Sequence, residues 1–115
     1  MTITRTELSP RMSQTVVHGD TIYLAGQVGD GPDVTAQTKH MLSEVDRLLA
    51  SVGSDKSHIL SATIWMADMG HVADMNAIWD AWIDPANPPA RACVESRLVA
   101  PEFLVEVMII AAKAR

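Results

Sequence analysis

Two residues carry charge into the most apolar part of this chain. Glu106 stands in the middle of Leu104-Val105-Glu106-Val107-Met108-Ile109-Ile110, a run that otherwise reads as a core strand. Taking an ionised carboxylate out of water costs several kcal/mol (about that order) unless a partner compensates. Arg91 opens Arg91-Ala92-Cys93-Val94-Glu95, straight after Pro88-Pro89 and Ala90. A guanidinium fork is the natural mate of a carboxylate, whether that of Glu106 or that of a ligand. The pair therefore reads either as the two sides of a small acid-binding site or as a structural salt bridge.

Three further residues could take part. Alternation along a strand puts Cys93 on the face of Arg91, and Glu106 on the face of Leu104, Met108 and Ile110. Cys93 as a nucleophile would need a base and an activating field. His18, His40, His58 and His71 are dispersed, so a pocket-lining or core thiol is the better reading. Gly26 ends an apolar run, where a glycine admits a close ligand or backbone, or makes a bulge. Asn76 lies in a helical stretch and either contacts a ligand or faces solvent, with solvent favoured. The histidines lack metal spacing and there is one cysteine, so no zinc site or disulfide framework is expected. Trp65, Trp79 and Trp82 sit in apolar patterns and read as core or interface. No GxGxxG, P-loop or GxSxG run is present.

The elements that must position these residues follow from periodicity. Residues 2–8, Ser13–Val17 and Thr21–Gly26 read as three strands, with a turn at His18-Gly19-Asp20. Asp33 is a helix N-cap. Val34, Thr38, Met41, Leu42, Val45, Leu48, Leu49 and Val52 then fall on one helical face, and Gly53 stops the helix. Ile59–Met66 is a nearly continuous apolar run and reads as a strand buried on both faces. A second helix is expected from about His71 to Ile83, ended by Asp84-Pro85-Ala86-Asn87-Pro88-Pro89. Strands Arg91–Glu95 and Phe103–Ala112 close the chain. The order β-β-β-α-β-α-β-β predicts an α+β fold with one mixed sheet and two helices packed on one face. If the last two strands formed a hairpin about Leu98-Val99, Arg91 would lie opposite Glu106 and Cys93 opposite Leu104.

The 115 residues make one domain, 1–115, with 48% apolar residues and a net charge of −5. An acidic chain whose nine Lys and Arg residues are scattered is a poor match for nucleic acid. No run has the layout of a signal peptide or the length of a membrane span, and a lone cysteine fits a reducing compartment, so the cytoplasm is expected.

Along nearly its whole length the chain resembles the RidA/YjgF family of reactive intermediate deaminases. The resemblance rests on Met12-Ser13-Gln14, Ile22 to Val28, Ala36-Gln37-Thr38, Gly53-Ser54, Thr63 to Asp68, Met75-Asn76, Pro89 to Val94 and Val105-Glu106-Val107. It implies a chorismate-mutase-like fold and a homotrimer with clefts between subunits. The last strand would then lie beside the early strands, and Arg91 and Glu106 would meet from different subunits. The implied activity is hydrolysis of enamines and imines, such as 2-aminoacrylate and its imine tautomer, to 2-keto acids and ammonia, with no cofactor. On that resemblance Arg91 grips the substrate carboxylate, Glu106 positions a water and moves protons, Cys93 hydrogen-bonds the ligand without a covalent role, and Gly26 and Asn76 line the cleft. The chain departs from the better-known members at Arg11-Met12-Ser13-Gln14, where they carry a tyrosine that reaches into the cleft. Methionine makes no strong hydrogen bond. A more apolar substrate, or a non-catalytic cleft that binds small carboxylates, is the expectation this raises.

Overall fold

A computed structural model describes all residues 1–115. Strands β1 (Ile3–Leu8), β2 (Ser13–His18) and β3 (Thr21–Leu24) are followed by helix α1 (Val34–Ser51), strand β4 (Ile59–Met66), helix α2 (Val72–Trp82), and strands β5 (Ala90–Glu95) and β6 (Val105–Ala112). They form one six-stranded sheet in the order β1-β2-β3-β6-β4-β5. Only β4 and β5 run parallel; every other pair is antiparallel. The element order and the mixed sheet agree with the sequence reading.

The hairpin does not. β6 inserts between β3 and β4, with Val107 opposite Ile64, while β5 lies parallel to β4 at the sheet edge, with Cys93 opposite the same Ile64. Burial explains the choice. Val105, Val107, Ile109 and Ala111 are fully buried, so the strand with the most apolar inner face takes the middle of the sheet. β5 offers Ala90, Arg91, Ala92 and Glu95, all exposed, and suits an edge.

Helix α1 forms where its caps place it. The Asp33 side chain accepts a hydrogen bond from the Ala36 amide at 2.8 Å. At the other end Gly53 takes φ +80°, and the Ser54 amide returns to the Leu49 carbonyl at 2.9 Å, a Schellman closure. Helix α2 starts after a short 3-10 turn, where Asp68 accepts from the Gly70 amide at 2.7 Å.

The core lies between the helices and one sheet face, where Met41, Leu48 and Leu49 of α1 meet Ile64, Val107 and Ile109. The expectation that β4 is buried on both faces is therefore corrected. Ile59, Ala62, Ile64 and Met66 are buried, but Ser61, Thr63 and Trp65 are only partly so, because the helices cover one face alone. On the uncovered face Tyr23 and Met108 are exposed. Ile64→Ala should cost about 2–5 kcal/mol, the usual range for emptying a sealed aliphatic site, read as a lower urea midpoint with an unchanged slope.

Candidate functional site

The sheet register sets the two charged residues apart. Arg91 lies in a row with Ala62 and Ile109, on the helix-covered face. Glu106 lies in a row with Trp65 and Val94, on the uncovered face. Paired residues share a face, so within one chain Arg91 and Glu106 point to opposite sides and no salt bridge joins them. Each is held by a different set of neighbours.

Arg91 is exposed but oriented. Its Nη1 donates to Asn76 Oδ1 at 2.8 Å, and its guanidinium carbon stands 5.3 Å from the centre of the Trp79 ring. Helix α2 supplies both supports, three residues apart on one face. Asn76, expected to favour solvent, instead holds the arginine. Trp79 is buried, in line with its apolar pattern, but its contact with Arg91 has no signal in the sequence, where an apolar helical stripe explains any tryptophan. The fork keeps donors free; a shallow hollow of about 240 Å³, built from Ser61, Thr63 and Ala92, opens on the other face of the sheet. Cys93 follows Arg91 on the same strand face, partly buried against the core. Burial pushes its thiol up, against a smaller opposing pull from Arg91. At neutral pH it is a thiol and not an activated nucleophile.

Glu106, on the uncovered face, has neither a hydrogen-bond donor nor a cation within reach in its own chain. Burial pushes its carboxyl above the ordinary glutamate range. Gly26 explains its placement. The next residue, Gln27, exchanges two backbone hydrogen bonds with Val107, at 2.8 and 3.0 Å, which fixes Gly26 alongside the carboxylate. A Cβ on Gly26 would stand 3.0 Å from Glu106 Cδ and inside contact distance of Oε2. Gly26→Ala should therefore swing the Glu106 side chain away while leaving the fold intact. The expected result is an unchanged unfolding midpoint with loss of whatever the carboxylate does.

Gln37 organises the approach to β6. It is buried; its Nε2 donates to the Gly31 and Glu102 carbonyls at 3.1 and 2.8 Å, and its Oε1 accepts from the Leu104 amide at 2.8 Å. A polar residue on the inner face of an apolar helix was the signal for it. Beyond Gly26 lies a hollow of about 350 Å³, bordered by Met12, Gln14, Gln27 and Phe103. The most voluminous hollow, about 400 Å³, lies under the β5–β6 loop and includes neither Arg91 nor Glu106. No three His, Cys, Asp or Glu side chains gather as a metal site requires. No helix is long and apolar enough to cross a membrane.

The family described as Endoribonuclease L-PSP matches residues 3–113. A RutC family protein of Haemophilus influenzae is 45% identical, over 96% of this chain and 98% of its own length. The RutC family protein YoaB of Escherichia coli K12 is 41% identical, over 97% and 99%. A crystal structure of a YjgF-family protein from Neisseria meningitidis superposes with a TM-score of 0.98 at 45% identity, covering 100% of this chain and 98% of that one.

The chain belongs to the RidA/YjgF family. The fold the resemblance implied is the fold observed, down to the last strand lying beside the early ones. The family match, residues 3–113, spans Arg91, Glu106, Gly26, Cys93 and Asn76.

Proposed function

We propose that this RidA/YjgF-family chain hydrolyses reactive enamines and imines of 2-amino acids to 2-keto acids and ammonia. The site is completed between subunits of a homotrimer, Arg91 coming from one and Glu106 from the next. The observation that carries this reading is the unpartnered, partly buried carboxylate of Glu106 held against the Gly26 backbone. A carboxyl raised by burial holds a proton more readily than an ordinary glutamate, which suits it to accept one and hand it back.

The chemistry follows from the two half-sites. Arg91, steadied by Asn76 and Trp79, pairs with the carboxylate of a 2-imino acid and fixes its orientation. With the imine protonated as the iminium, Glu106 takes a proton from a water as the water oxygen bonds to the C=N carbon and the C=N electron pair settles on nitrogen. The neutral carbinolamine that forms expels ammonia as the Glu106 proton passes to nitrogen. The carbonyl closes as its hydroxyl proton returns to the Glu106 carboxylate and from there to solvent or ammonia, which restores the proton that made the iminium. The products are one 2-keto acid and one ammonia from one imine and one water. An enamine enters the same route once its β-carbon is protonated. In this reading Cys93 hydrogen-bonds the ligand as a neutral thiol. No cofactor takes part in these steps.

Met12 favours a second reading, in which the same cleft binds small 2-keto acids without turnover. The half-exposed methionine supplies no strong hydrogen bond where better-known members have a tyrosine hydroxyl. The name Endoribonuclease is not carried over to this chain, whose net charge is −5 and whose basic residues are scattered. Cytoplasmic residence fits the single free thiol.

An imine competition assay tests the reading. An amino-acid oxidase generates an imino acid in the presence of semicarbazide, and the fraction diverted to keto acid is measured. Diversion by wild type and not by Glu106→Ala supports the deaminase. No diversion from a folded trimer with any imine, together with saturable keto-acid binding, supports the binding module.

A further inference from the structure

Glu7 is the one residue other than glycine with a positive φ, at +51°. A side chain in the left-handed region is disfavoured by its own Cβ, so something must hold it there. The β1–β2 ladder skips this residue, pairing Thr6 with Thr15 and then Leu8 with Ser13. Its carboxylate is gripped by the Arg47 fork, Nη1 to Oε2 at 3.0 Å and Nη2 to Oε1 at 3.3 Å. Arg47 is itself oriented by Glu44, which accepts from its Nε at 2.9 Å. One helix thereby clasps the outer hairpin at its distorted point.

What lies beyond that point is the turn carrying Met12. The turn is closed by the Ser9 amide on the Met12 carbonyl at 2.8 Å, and by weaker bonds of the Ser9 hydroxyl to Met12 at 3.3 Å. Across the ladder from Glu7 is Gln14, whose Oε1 accepts from Gln27 Nε2 at 2.7 Å, next to Gly26. Met12, Gln14, Gly26, Glu7 and Arg47 border one hollow, which adjoins Glu106 only through Gly26. We propose that Arg47 is a positioning residue for the Glu106 half-site: its fork on Glu7 latches the Ser9–Met12 turn, and so sets how Met12 and Gln14 meet a ligand lying over Gly26. The inference rests on the reading of that half-site as the ligand cleft. The pair is well exposed, and exposed pairs add little to global stability. Its effect is therefore local.

The test compares Arg47→Met, Glu7→Gly, the double variant and Glu44→Gln. Glycine accepts φ +51° without strain, so Glu7→Gly opens the latch without adding a clash. Two readouts are used: amide exchange across Ser9–Met12, and kcat and KM in the imine assay with pyruvate titration alongside. Both single variants should speed exchange in the turn, and raise KM or the pyruvate Kd, by about tenfold, with kcat within about twofold. The double variant should be no worse than either single, because the two act as one unit. Glu44→Gln should shift both readouts far less. Unchanged exchange and KM in the single variants, or losses that add in the double, would overturn the latch. If Arg47→Met does not fold, Glu7→Gly carries the test with the same readouts. If wild type neither turns over imines nor binds pyruvate, the proposed function fails and amide exchange alone decides the latch: faster exchange in the variants supports it and unchanged exchange rejects it.

Discussion

Glu106→Gln is expected to lower imine turnover by about 10²–10⁴-fold, the range for losing a general acid–base group, with pyruvate binding retained. Glutamine keeps the shape of the side chain and its approach to Gly26 but cannot take a proton from water. KM should therefore move little while kcat falls. The acid limb of the wild-type rate profile should lie above the ordinary glutamate value of about 4.3, because burial, with no neighbouring cation in the chain, raises this carboxyl. A limb below that value would mean that a neighbouring subunit's arginine dominates over desolvation. The same shift has a stability consequence. A carboxyl whose folded pKa exceeds its unfolded one contributes fully below the unfolded value and loses that contribution as pH rises through the folded value. Uncharged Glu106→Gln should thus be more stable than wild type at pH 7.5, by less than about 1 kcal/mol since the group stays partly solvated and screened. The difference should close near pH 4. Loss of turnover together with gain of stability separates a functional carboxylate from a structural one, whose removal would lower both.

The sequence carried the fold further than it carried the site. α1 was legible because its cap, its apolar stripe and its terminal glycine all agree, as Asp33 and Gly53 show. β6 was legible as a strand but not in its neighbours, since alternation fixes which residues share a face and says nothing about which strand lies beside it. That gap produced the false hairpin, and the family resemblance, not the periodicity, gave the order observed. Glu106 stood out because a charge inside Leu104–Ile110 breaks a pattern. Arg91 stood out because a fork needs an acid. Their supports did not. Trp79 looked like any buried aromatic, Asn76 like a surface residue, and Arg47 and Glu7 are 40 positions apart, a separation no local pattern spans. Residues that act through long-range contact leave no signature in spacing.

Arg91→Ala should reduce kcat/KM about 10³-fold, of which some 10–100-fold is the lost charge-assisted pair with the substrate carboxylate and the remainder lost orientation. Stability should change by less than about 1 kcal/mol, because the side chain is exposed at a sheet edge. Arg91→Lys should rescue little of the rate. A lysine keeps the charge but not the planar fork that stacks over Trp79 while serving both Asn76 and a ligand. The opposed faces of Arg91 and Glu106 make a sharper test available. In the proposed trimer each cleft takes its arginine from one subunit and its glutamate from the next. Subunits bearing Arg91→Ala and subunits bearing Glu106→Gln are each inactive alone. Mixed, unfolded and reassembled in equal amounts, they should recover about a quarter of the wild-type rate, since three of four random trimers are mixed and each of those has one intact cleft in three. If the two residues met within a single chain, no mixture could restore a site and the rate would stay at that of the separate variants. Recovery would tie the register of one sheet, which turns these side chains away from each other, to the need for a second copy to bring them together.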